Sequence, residues 1–97
     1  MWIDCDNGAN IGDIGSENGI IIQDEEYKSC CRITLEKCEK YYAITCGVYG
    51  AMVHTAFCGD NFSTVYENMK KDLSSFIDKE TTNDEEMDFY ETFTSQY

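Results

Sequence analysis

The stretch Tyr41–Cys58, YYAITCGVYGAMVHTAFC, decides the fold. It runs for eighteen residues without Asp, Glu, Lys, Arg or Pro, in a chain otherwise rich in acids. Its β-branched and aromatic residues suit a pleated surface. It is too short for a membrane helix, carries Tyr, Thr, Cys and His, and has no basic flank after it. Gly47 and Gly50 punctuate it. The reading is two strands, about Tyr42–Tyr49 and Ala51–Cys58, turning near Gly50, both central in an antiparallel sheet. Ile44, Cys46 and Val48 share one face of the first; Ala43, Thr45, Gly47 and Tyr49 take the other. Gly47 marks a bulge or a close approach. On the second, Val53, Thr55 and Phe57 oppose Met52, His54 and Ala56, and the register decides which set is core.

Upstream, CCRITLEKC at Cys30–Cys38 alternates cleanly, with Cys31, Ile33 and Leu35 against Arg32, Thr34 and Glu36. That is a half-buried antiparallel strand, and Glu39–Lys40 turns it into the central hairpin. GIIIQDEEY at Gly19–Tyr27 reads as a first strand. Its acids Asp24, Glu25 and Glu26 form a solvated tip or a recognition edge for a basic partner. Residues 1–18 are loop-rich, with at most a short strand at Trp2–Cys5. Asp4-x-Asp6 fails as a calcium loop because no Glu closes it. The glycines of this segment lack the strand–helix context of a phosphate cradle.

Downstream, the hydrophobic period changes. Thr64-x-x-Glu67 is a capping box, and Val65, Met69, Leu73, Phe76 and Ile77 follow helical spacing, predicting a helix over 63–79. Thr81–Thr82 breaks it. Asn83-x-x-Glu86 is a second capping box, with Asp84, Glu85 and Glu86 in a first turn that favours acids. Phe89, Phe93 and Tyr97 recur every four residues, giving a short helix over 83–95 with an aromatic face that docks on the sheet or binds a partner. The expected fold is α+β: a four-stranded antiparallel meander over 19–58, then two helices in a single layer on the sheet, forming one domain over 1–97.

The net charge is −12, from nineteen acids against seven bases. Residues 1–29 and 78–97 each carry −6, while residues 30–77 are neutral. The negative field therefore comes from the two ends. It repels nucleic acid and anionic membranes and attracts basic partners. The N-terminal MWIDCDNG lacks a basic n-region and an apolar h-segment, so no signal peptide is expected. A cytoplasmic location follows, with the six cysteines reduced. They contain no C-x-x-C pair, and His54 is the sole histidine. The thiols read as small hydrophobes rather than zinc ligands. No nucleophile–base signature accompanies His54. Neither metal, cofactor nor catalytic residue is expected.

GIIIQDEEY, CRITLEKC, YYAITCGVYGAMVHTAFC and ENMKKDLSSFID together resemble a family of small cytoplasmic immunity proteins from bacterial polymorphic-toxin systems. The resemblance spans residues 19–79, and the central hairpin carries most of it. It implies an inhibitor, not an enzyme, that binds and neutralises a cognate toxin domain. Charge points to a basic toxin, most simply a nuclease. Asp24, Glu25, Glu26, Asp84, Glu85, Glu86 and Asp88 are the expected contacts, with Phe89 or Tyr90 as apolar anchors. A phage-type nucleic-acid mimic that inhibits a defence nuclease is the alternative. The chain is expected to be a monomer or a weak homodimer, since the meander leaves an edge strand free.

Overall fold

The computed structural model describes residues 1–79 and 81–97. Among them the chain forms β1 (Trp2–Asp4), β2 (Ile20–Tyr27), β3 (Cys31–Lys37), β4 (Tyr42–Val48), β5 (Ala51–Cys58), α1 (Phe62–Asp78) and α2 (Asn83–Gln96). The sheet is an antiparallel meander in the order β1-β2-β3-β4-β5. It has five strands, not four: Trp2 pairs with Tyr27 and Asp4 with Glu25, so the N-terminal tripeptide adds an edge. The α+β class stands.

The hairpin turns explain the strand ends. Lys28–Ser29 and Tyr49–Gly50 all have positive φ, the conformation that matches the right-handed twist of the flanking strands. Gly50 takes it freely; Lys28, Ser29 and Tyr49 take it at a cost. Two bulges then set which side each residue faces. Ile22 is the extra residue between Ile21↔Glu36 and Gln23↔Leu35. Val53 is the extra residue between Cys46↔His54 and Gly47↔Met52.

Both helices cover one sheet face. Cys31, Ile33, Leu35, Ile44, Cys46, Val48 and Ala56 meet Tyr66, Met69, Leu73 and Phe76 of α1 and Phe93 of α2. Burial raises the Cys31 thiol to about 11 and the Cys46 thiol to about 12, so both remain neutral at pH 7. The α1 stripe includes Tyr66, only 1% exposed, where periodicity favours Val65. Tyr66 reaches across the sheet and donates to Glu25 Oε1 at 2.8 Å.

Both helix starts differ from the capping boxes. α1 begins at Phe62 behind Asn61, whose side chain makes no capping bond. α2 is capped by Thr82, whose hydroxyl accepts from the Glu85 N–H at 3.2 Å. The α1 cap lies three residues before its box at Thr64, and the α2 cap one residue before its box at Asn83.

The opposite sheet face is partly covered by the N-terminal segment. The Glu17 and Gly19 N–H groups donate to Glu36 Oε1 at 3.1 and 3.2 Å. A Cβ on Gly15 would stand 2.3 Å from the Glu36 carboxyl, so only glycine lets the loop lie this close. A charged strand residue thus becomes the anchor of a loop.

Candidate functional site

Asp24, Glu25 and Glu26 do not form an exposed acidic tip. They lie on a strand, so they alternate between faces. Asp24 points to the loop side and is 0% exposed. It accepts from Arg32 Nε and Nη2, both at 2.8 Å, from Asn10 at 3.1 Å and from Thr34 at 3.1 Å. Burial pushes its carboxyl up, but the hydrogen bonds from Arg32 and Asn10 outweigh burial and hold it below the usual aspartate range. Glu25 points to the helices, where Lys70 approaches at 3.0 Å beside the Tyr66 hydroxyl. Glu26 is half-buried next to the Cys5 thiol. All three serve the fold.

The acids of α2 stand differently. Asp84, Glu85 and Asp88 are exposed, as is Glu91. Glu85 lies 3.7 Å from Lys79, while Asp84 and Asp88 have no ion pair among the described residues. Glu86 is half-buried and accepts from the Tyr90 hydroxyl at 2.9 Å. Burial and this bond push the Tyr90 phenol up to about 12. α2 packs on β5, whereas β2 lies between β1 and β3. The structure therefore gathers Asp84–Asp88 and leaves Asp24–Glu26 on the far side of α1.

The two aromatic anchors are half-buried and pack against the core. Phe89 stacks on Phe76 with centroids 4.1 Å apart and planes 7° apart, and Tyr90 tilts against the same ring at 5.7 Å. Phe93 lies edge-on to His54 at 6.3 Å. The aromatic face of α2 docks the helix on the body.

What the sequence reading missed is beside α2. β5 is not central; it is an edge, with no strand beyond it among the described residues. Its eight residues, AMVHTAFC, carry no Lys, Asp, Glu or Pro, the devices that usually blunt an edge. The opposite edge, β1, is three residues long and ends in Asp4. Met52 is 70% exposed and Phe57 60%, with Tyr41 edge-on to Phe57 at 5.5 Å. The signal was topological: in a meander, the last strand before the helices lies at the rim.

The phase of the ladder shows which backbone groups β5 leaves unpaired. Cys38 N–H donates to the Tyr41 carbonyl at 2.9 Å, and Tyr49 N–H to the Cys30 carbonyl at 2.7 Å. Bonding alternates along an antiparallel strand. Ala43, Thr45 and Gly47 therefore bond to β3, and Tyr42, Ile44 and Cys46 bond to β5. The partners of the latter are Cys58, Ala56 and His54. The N–H and C=O of Thr55 and Phe57 point away from the sheet.

A second feature lies on the outer sheet face. Asp24, Thr34, Thr45 and Thr55 are mutual cross-strand partners in one row. A groove of about 510 Å³ runs past Arg32, Thr34, Glu36, Thr45, Gly47 and Met52. Its cation, Arg32, is already held by Asp24. Glu36 Oε2 and His54 Nε2 are buried without a hydrogen-bond partner among the described residues. No three His, Cys, Asp or Glu side chains converge as metal ligands there or elsewhere among the described residues. Among the described residues no helix is long and apolar enough to cross a membrane.

Comparisons with protein-family models, with curated proteins and with solved structures found no match.

Proposed function

We propose that this chain is an immunity-type inhibitor, which acts in the cytoplasm by binding and neutralising a cognate toxin domain of basic surface. The observation that carries the reading is the pairing of two surfaces. The exposed acids Asp84, Glu85, Asp88 and Glu91 lie on α2, which packs on β5, and the uncharged rim of that strand exposes Met52 and Phe57. Exposed apolar side chains together with a field of one sign suit a protein partner: the apolar side chains supply buried contact, and the charge steers encounter. A nuclease is the simplest target, because a cleft built for phosphate attracts carboxylates. Inhibition then needs occupancy and no chemistry from this chain.

The reading is tested by capturing partners of the tagged chain from lysate of its own host and identifying them by mass spectrometry. A single basic protein, released by high salt and encoded beside this chain, is the expected result. A capture that retains nothing contradicts it.

A further inference from the structure

We propose that the free edge of β5 accepts an extended segment of the basic partner as a sixth strand. This rests on the reading of the chain as an acidic inhibitor and states how the partner is held. The outward N–H and C=O groups of Thr55 and Phe57 supply a ladder for main-chain pairing. The bulge at Val53 ends the regular part of β5, so the receiving segment is His54–Cys58.

The two sides of the incoming strand meet different chemistry. Its side chains on the outer face would lie against Phe57, with Tyr41 behind it. Its side chains on the inner face would lie under α2. Phe89 of α2 stacks on α1, and Glu85, Thr92 and Gln96 share a cavity with α1 residues. At 100° per residue, Met87, Glu91 and Thr94 occupy the opposite flank. α1 lies on β3 and α2 on β5, so this flank overhangs the rim. Met87 there is 61% exposed. The fitting segment thus alternates, with apolar residues facing Phe57 and Lys or Arg facing Glu91.

Charge separates this occupant from a second copy. Two copies paired antiparallel through β5 about a two-fold axis would carry both helical layers on the same face. α2 would then face its mate across the seam, opposing its acids in a molecule already at −12. A basic segment turns the same acids into attraction.

The test uses a blocked octapeptide alternating lysine with valine, and amide hydrogen exchange in the isotopically labelled full chain. In the free protein, Thr55 and Phe57 exchange fast while His54, Ala56 and Cys58 are protected. The peptide should slow Thr55 and Phe57. Thr55→Pro removes one outward donor and should weaken binding about five- to tenfold, the value of one hydrogen bond; retained protection at His54 and Ala56 shows that it folds. Phe57→Lys, at an exposed position, should weaken binding without touching the ladder. Binding that leaves Thr55 and Phe57 fast, yet is lost on reversing the α2 acids, overturns strand addition and leaves acidic capture standing. Equal slowing by the peptide with glutamate in place of lysine overturns the basic partner. Slowing that grows with protein concentration in the absence of peptide identifies a second copy and overturns the proposal, as does no binding at all.

Discussion

Asp24 and Arg32 are unequal partners, and the inequality is measurable. Asp24 is fully buried, while the Arg32 side chain is 49% exposed. Arg32→Ala strands a buried carboxylate and should cost about 3–5 kcal/mol. Asp24→Asn leaves the guanidinium in reach of water and keeps an acceptor for Thr34, so it should cost about 1–3 kcal/mol. Urea unfolding of both variants checks the order. The Asp24 carboxyl titrates below its ordinary value of 3.8 when folded. The unfolded chain therefore binds the extra proton first. The stability this group provides is fully present above that value and is lost as pH falls below 3.8 toward the folded pKa. Asp24→Asn should flatten that acid limb; an unchanged limb would place the acid sensitivity elsewhere. A second residue-scale outcome concerns Ser29, held at φ 55° in the β2–β3 turn. Ser29→Gly should stabilise the chain by about 1 kcal/mol, raising Tm by roughly 4–8 °C. Lys28, its neighbour, is kept because it lies 2.5 Å from Asp78.

At the scale of elements, α2 is fixed by its aromatic face rather than by its propensity. Phe93 is 2% exposed and touches both Phe89 and Tyr97, with rings 5.4 and 5.0 Å apart. Phe93→Ala should cost about 3–5 kcal/mol, read by thermal unfolding. The Thr82 cap is worth less: Thr82→Ala should cost about 0.5–2 kcal/mol. The meander and both helices were legible in the sequence because their evidence is local. Alternation in CRITLEK and four-residue spacing in α1 and α2 need no knowledge of the rest of the chain. The acids of β2 were not legible. An acid on a strand looks the same whether water or Arg32 faces it, and the answer depends on register and on Asn10, fourteen residues away. A short strand at Trp2–Cys5 was legible and forms as Trp2–Asp4, but its place as a fifth strand of the sheet was not, since three residues carry little periodicity. Phe89 and Tyr90 look like anchors in the sequence because an aromatic face on a terminal helix has the same spacing whether it meets a partner or Phe76.

At the scale of the whole molecule, the expected acidic surface divides between exposed and internal positions. Of the seven acids read as a contact surface, Asp84, Glu85 and Asp88 are exposed, while Asp24, Glu25, Glu26 and Glu86 are buried or half-buried within the fold. The exposed acids of α2 lie on the helix that packs on β5, the strand with the bare rim. Reversing Asp84, Glu85, Asp88 and Glu91 together should slow association with the basic partner by about 10- to 100-fold and weaken its salt dependence, with a smaller change in dissociation. Stopped-flow mixing at two ionic strengths separates these effects. The central claim is inhibition by occupancy, and a titration addresses it most directly. The basic protein captured by this chain is assayed for its own activity while the chain is added in increments. The account predicts a linear fall to zero at one equivalent. Full activity in a partner saturated with the chain would contradict it.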